Sequence, residues 1–79
     1  MVMIKTLLSL FDGQFVLFRL FVNGRCIIET DVVNANMLAR SGAAWGEYKV
    51  GKGDAKLLVA KHPRFPGGEA TMLSISIKG

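Results

Sequence analysis

Two turn dipeptides, Asp12-Gly13 and Asn23-Gly24, constrain the fold of this chain more than any other feature of its sequence. Residues that favour β-strands flank both of them. Both dipeptides suit two-residue type I′ turns, which need a positive φ at each central residue. The spacing predicts an antiparallel meander of three strands, at about 3–11, 14–22 and 25–33.

A two-residue turn also fixes which residues of neighbouring strands face each other. If Phe11 pairs with Gln14 and Val22 with Arg25, one face of the meander carries a single charge, that of Arg19, and the other carries four. The face with one charge is the predicted core. Its members are Ile4, Thr6, Leu8, Leu10, Phe15, Leu17, Arg19, Phe21, Cys26, Ile28, Thr30 and Val32.

The second face of the meander is too apolar for a plain solvent surface. Contiguous apolar patches above roughly a few hundred Å² usually contact another element or another chain. Either a helix covers this face, or it is a dimer or partner surface. The residues concerned are Phe11, Val16, Phe18, Leu20 and Ile27.

After the meander, the segment "NANMLARSG" predicts a short helix. Asn34 is a candidate N-terminal cap, and Gly42 can end the helix in a left-handed conformation. Strands are predicted at about 45–50, 55–61 and 70–78. In the last of these, Leu73, Ile75 and Ile77 alternate with polar residues and are expected to point inward.

This order predicts one mainly β domain over residues 1–79, with three meandering strands, a short helix and three further strands. An oligonucleotide-binding (OB-like) barrel has its helix in this position. A curved sheet with one covering helix fits the same order.

The length of 79 residues is near the lower limit for a domain held by a single core, so a stabilising partner is worth seeking. With a single cysteine, the chain cannot form an internal disulfide. It also lacks a Cys/His cluster, so no metal or cofactor is predicted. A homodimer is therefore expected. Charged residues interrupt the apolar beginning of the chain, so we expect a cytoplasmic protein with no membrane span.

The net charge of +4 comes entirely from residues 40–64, which carry six basic and two acidic side chains. Basic residues interleaved with aromatic rings favour single-stranded nucleic acid, because lysine and arginine neutralise phosphates while rings stack on bases. The candidate binding residues are Arg40, Trp45, Tyr48, Lys49, Lys52, Lys56, Lys61, Arg64 and Phe65.

Within this stretch, "GEYKVGKG" has the spacing of a phosphate-binding loop, but the eighth position is Gly53 instead of Ser or Thr. The residues that follow read as a strand, whereas such a loop leads into a helix. A hairpin turn at Gly51-Lys52-Gly53-Asp54 is the better interpretation. His62 is the single histidine, so a catalytic triad lacks candidates and no enzyme is predicted.

The leading hypothesis is a small, basic, non-enzymatic protein that contacts single-stranded or structured nucleic acid through residues 40–64. The alternative is an interaction protein of the kind found in phages and mobile elements, which docks on a host protein or nucleoprotein complex and blocks it. Phe18, Leu20 and Ile27 would carry that second function.

Overall fold

The computed structural model describes residues 2–11, 16–61 and 68–78. Within these ranges none of the helices has the length and apolar content needed to cross a bilayer. The elements in chain order are β1 (Val2–Met3), α1 (Ile4–Ser9), β2 (Leu17–Val22), β3 (Arg25–Asp31), α2 (Val32–Arg40), a 3-10 helix (Ala44–Glu47), β4 (Lys49–Val50), β5 (Ala55–Lys61) and β6 (Glu69–Ile77).

Four strands form a mixed sheet in the order β3-β2-β6-β5. The β2–β3 and β5–β6 pairs are antiparallel, whereas β2 and β6 run parallel. The short strands β1 and β4 form a separate antiparallel pair. In the described part of the chain β3 and β5 each pair with one neighbour, so the sheet is open and the predicted barrel is not confirmed. The mainly β class is confirmed.

The predicted first strand, 3–11, is wrong, because residues Ile4–Ser9 form α1. Ile4 and Leu8 are fully buried, while Leu7 and Phe11 are partly buried against the same core. These four positions follow the i, i+3, i+4, i+7 spacing of one helix face, which the assumption of a first hairpin concealed. The Asp12-Gly13 turn lies outside the described residues.

The second hairpin is confirmed. Asn23 and Gly24 have φ values of 54° and 79°, and Val22 pairs with Arg25 as the two-residue turn requires. Further along, Leu20 pairs with Ile28 and Phe21 with Cys26, which leaves one extra residue, Ile27, in a bulge.

The prediction of which face of β2 is buried in the core is wrong. Phe18 and Leu20 are fully buried, whereas Leu17, Arg19 and Phe21 on the opposite face are only partly buried. The charge count misled because the bulge at Ile27 moves Glu29 and Asp31 to the face of the sheet that carries Arg19. We call the buried side of the sheet the inner face; its core members are Phe18, Leu20, Leu73, Ile75 and Ile77.

Helices cover the inner face, so the first of the two explanations for the second apolar face applies. Ile4 and Leu8 of α1 and Val32, Ala35 and Ala39 of α2 belong to the same core as the sheet residues. Burying a large aliphatic side chain contributes about 1.5–3 kcal/mol. The apolar contacts between helices and sheet are therefore the main stabilising contribution visible in the fold.

Helix α2 begins two residues before Asn34, the predicted cap, and its actual cap is Asp31. The Asp31 carboxylate accepts a hydrogen bond from the Asn34 backbone N–H at 2.7 Å. Asn34 instead donates its side-chain amide to Thr30 Oγ1 at 3.0 Å. Gly42 does have a positive φ, 100°, beyond the end of the helix, as predicted.

The last two strands agree with the sequence pattern. Strand β5 matches the predicted 55–61, and in β6 the side chains of Leu73, Ile75 and Ile77 are buried as expected. The predicted strand at 45–50 is wrong over most of its length, because a 3-10 helix occupies Ala44–Glu47 and only Lys49–Val50 are extended.

The cap of α2 gives a direct test of this assignment. Asp31→Ala should lower the free energy of unfolding by about 1 kcal/mol, because it leaves a helix N–H group without its acceptor. Asp31→Asn should restore most of that loss, since asparagine caps nearly as well. Urea denaturation followed by circular dichroism measures both. If Asn34→Ala costs more than Asp31→Ala, the assignment of the cap is wrong.

Candidate functional site

The segment from Gly46 to Gly53 does not form a phosphate-binding loop. Gly46 lies in the 3-10 helix and is buried against α2, where an added Cβ would come within 3.1 Å of Ala39 Cβ. Its lack of a side chain therefore serves the close contact between two helices. The strand β5 follows Gly53, as the sequence predicted.

The turn predicted at residues 51–54 is present, but it does not make a hairpin. The Asp54 N–H donates to Gly51 O at 3.1 Å, and the Asp54 carboxylate accepts from the Gly51 N–H at 2.8 Å. Gly53 supplies the positive φ, 88°. The strands on either side pair elsewhere, β4 with β1 and β5 with β6, so the turn connects two sheets.

Trp45 is not a free stacking surface. Its ring lies 5.7 Å from the ring of Phe18, centroid to centroid, at an interplanar angle of 31°. It is partly buried and covers the edge of the core. Trp45 therefore contributes to the packing of the core, and its ring is less exposed than that of Tyr48.

Tyr48 is the exposed aromatic residue of the basic segment. Its backbone oxygen accepts a hydrogen bond from the Ile4 N–H at 2.9 Å, which fixes the residue beside α1. An open cleft of about 320 Å³ lies next to its side chain. The cleft is lined by Val22, Tyr48, Lys49, Ile77 and Lys78, and we call it the basic cleft.

The lysines of the basic cleft have no described carboxylate to neutralise them. Among the described residues the one ion pair joins Lys5 Nζ to Glu47 Oε1 at 2.7 Å. Asp54, the other acidic residue of the segment, accepts the Gly51 N–H instead. Both acidic groups of the segment are thus engaged, and Lys49 and Lys78 leave the cleft positively charged.

The remaining candidate cations lie on several surfaces. Arg40 ends α2, Lys52 lies in the turn, Lys56 is on the side of the sheet away from the helices, and Lys61 ends β5. Arg64 and Phe65 lie outside the described residues, as does His62. The structure therefore brings together Tyr48 and Lys49 but not the whole predicted set.

Lys78 is a cleft residue that the sequence reasoning missed. Residues 65–79 have no net charge, so they received no weight. Lys78 directly follows Ile77, which pairs with Val22 in the parallel β2–β6 ladder. The alternating pattern of the last strand placed Lys78 at its end, but only the parallel pairing brings that end beside Tyr48.

The residues predicted for a dimer or partner surface are mostly core residues. Val16, Phe18 and Leu20 are buried, and Phe11 is partly buried against them. Ile27 is exposed in the bulge of β3. These residues do not form one accessible surface.

The described residues give no indication of a metal site or of a reactive thiol. No group of three or more His, Cys, Asp or Glu side chains there could hold a metal ion. Cys26, which was expected to face the core, is exposed because it pairs with Phe21 on the face of the sheet opposite the helices.

Comparison of the chain with protein-family models, with curated proteins and with solved structures found no match.

Trp45 and Tyr48 should contribute different amounts to the free energy of unfolding. Trp45→Ala should lower the free energy of unfolding by about 3 kcal/mol, because it removes a ring that packs on Phe18. Tyr48→Ala should cost about 1 kcal/mol or less, since the ring is exposed beside an open cleft. Thermal and urea denaturation compare the two variants, and equal losses would contradict the placement of Trp45.

Proposed function

We propose that this chain is a small, basic, non-enzymatic domain that binds single-stranded nucleic acid at the basic cleft. One observation carries the proposal. An exposed tyrosine ring and two lysines without a described carboxylate partner line the same open cleft.

The chemistry of the cleft suits a nucleic-acid strand. The ammonium groups of Lys49 and Lys78 can neutralise two backbone phosphates, which releases condensed counterions and makes binding sensitive to salt. The Tyr48 ring can stack on one base, a contact worth about 1–3 kcal/mol that tolerates any sequence. Val22 and Ile77 add apolar side chains to the lining of the cleft.

The other basic residues of the segment support binding at longer range. Lys52 lies in the turn three residues after Lys49 and is exposed. Arg40, Lys56 and Lys61 are exposed on other surfaces, where they raise the positive potential around the domain and speed the approach of a polyanion.

A second candidate function is protein interaction, and a different observation favours it. Strand β5 is an edge of the sheet in the described part of the chain, and Leu57 and Val59 on it are 59% and 75% exposed. An exposed edge strand can accept a strand from another protein. A chain that docks in this way could block a host protein or nucleoprotein complex, although Phe18 and Leu20 would take no part.

The test of the proposed function compares lysines in and away from the cleft. Fluorescence anisotropy with a labelled single-stranded oligonucleotide should give an affinity that falls steeply with salt. The double variant Lys49→Ala/Lys78→Ala should lower the slope of log K against log salt by about 1.4, at about 0.7 for each lost phosphate contact. Tyr48→Ala should weaken binding at every salt concentration by about 1–3 kcal/mol.

Lys61→Ala is the matched control. It removes one positive charge at the far end of the sheet, because Lys61 pairs with Glu69 while the cleft lies at Ile77, about 26 Å away along β6. Binding of this variant should stay close to that of the unaltered protein. If Lys61→Ala weakens binding as much as Lys49→Ala, the attraction is diffuse and the cleft is not a site.

The second candidate predicts the opposite pattern. A complex formed through β5 would survive nuclease and high salt and would be lost in Leu57→Asp/Val59→Asp. Affinity purification of the tagged protein with these treatments separates the two functions.

A further inference from the structure

The side of the four-stranded sheet opposite the helices has no covering element among the described residues. We call it the open face. None of its side chains belongs to the core cluster, and the apolar residues packed against that cluster come from the inner face and the helices. The members of the open face include Leu17, Arg19, Phe21, Glu29, Asp31, Lys56, Leu58, Met72, Ser74 and Ser76, of which Met72 is already buried at 8% exposure.

One row of the open face crosses all four strands. The pairing register places Lys56 beside Ser74, Ser74 beside Arg19, and Arg19 beside Glu29. A positive charge therefore lies at the β5 edge of the row and a negative charge at the β3 edge. Three strand spacings separate these two edges, about 14 Å, so Lys56 and Glu29 of one chain are too far apart to form an ion pair.

The centre of the row contains a polar group without a partner. The Arg19 guanidinium lies 5.0 Å from the centre of the Phe21 ring, and its Nε is buried with no hydrogen-bond acceptor among the described residues. A buried donor that lacks an acceptor is costly to keep. Because the chain's own atoms already enclose this Nε, a second chain can contact Arg19 only through the part of the side chain that is exposed.

We propose that a second copy of this chain covers the open face. The two sheets pack face to face around a two-fold axis that lies between them and runs along the strands. This symmetry sets β5 of one copy against β3 of the other, and β6 against β2. Lys56 then faces Glu29 of the second copy, and Arg19 faces Ser74 of the second copy, whose hydroxyl can accept from the guanidinium.

The symmetry makes each favourable contact occur twice, because an interface around a two-fold axis pairs the same patch with itself. The apolar row behaves in the same way, since Met72 and Leu17 are neighbours in the register and face each other across the axis. Asp31, at the end of that row, directs its carboxylate to the start of α2 instead. The proposed packing therefore pairs opposite charges at the edges of the open face, Lys56 with Glu29, and apolar side chains, Leu17 with Met72, near its centre.

A polyanion fits this face less well than a second copy does. Glu29 would repel phosphates at one edge, whereas it attracts Lys56 in the dimer. The basic cleft is lined by Tyr48 and Lys49 outside this sheet and by Val22 and Ile77 on its inner face, so the dimer can form without occupying the cleft. The two proposals are therefore independent.

The size of the open face indicates a weak dimer. Four strands about 4.8 Å apart and about six residues long give a footprint of roughly 400 Å² per copy. The total of roughly 800 Å² is below the roughly 1,200–2,000 Å² of stable specific interfaces and in the range of weak, transient ones. The population of dimer should therefore change over a range of about 5 μM to about 500 μM.

Sedimentation equilibrium over that range tests the proposal. The unaltered chain should show a monomer–dimer equilibrium. Lys56→Glu alone and Glu29→Lys alone should each weaken the dimer about tenfold or more, because each change opposes like charges twice across the interface. An equimolar mixture of the two variants should dimerise again, since every facing pair in the mixed dimer is then of opposite sign.

Lys61→Glu is the matched control, because it makes the same charge change on the same strand outside the row. It should leave the dimer unchanged, and circular dichroism should show that all variants remain folded. A chain that stays monomeric to about 500 μM overturns the proposal. A dimer that persists in both single variants, or a mixture that stays monomeric, also overturns it. Loss of oligonucleotide binding in a monomeric Lys56→Glu variant would assign the open face to nucleic acid instead.

Discussion

The parallel pairing of β2 with β6 is the constraint on which the rest of the structure depends. Two parallel neighbours cannot be joined by a tight turn, so the chain must return from one end of the sheet to the other before the second strand begins. Strand β3, helix α2, the 3-10 helix, β4 and β5 make up that return. Because α2 passes over the side that carries Phe18 and Leu20, that side becomes the core, and no described element covers the opposite side.

The same connection explains where the positive charge is found. Helices α1 and α2 and strands β2 and β6 supply most of the small apolar core. Most described residues between α2 and β6 are exposed, so lysines can be placed there at little cost in stability. Lys49 follows Tyr48 in this return, and Lys78 follows the end of β6. The parallel ladder aligns Val22 with Ile77, so the two segments meet at one end of the sheet. The proposed binding site there depends on topology as much as on composition.

The features of the fold that depend on a few adjacent residues were predicted correctly from the sequence. The Asn23-Gly24 hairpin, the left-handed Gly42 and the alternation in β6 are confirmed, because each depends on a few adjacent residues. The helix at Ile4–Ser9 was missed because its apolar residues satisfy two periodicities, and a neighbouring Asp-Gly favoured the strand. The site was predicted only in part, since Tyr48 and Lys49 are adjacent in sequence while Lys78 joins them through long-range pairing.

Strand β5 carries a further consequence for how this chain behaves while it folds. Leu57, Leu58 and Val59 form an exposed apolar run on an edge strand, a composition that favours intermolecular β-aggregation. Lys56 and Lys61 bracket the run and act as gatekeepers. If two β5 strands paired antiparallel with Leu58 opposite Val59, Lys56 of one would lie opposite Lys61 of the other, and their repulsion would oppose growth of the sheet. The positions of these lysines therefore oppose intermolecular pairing through β5.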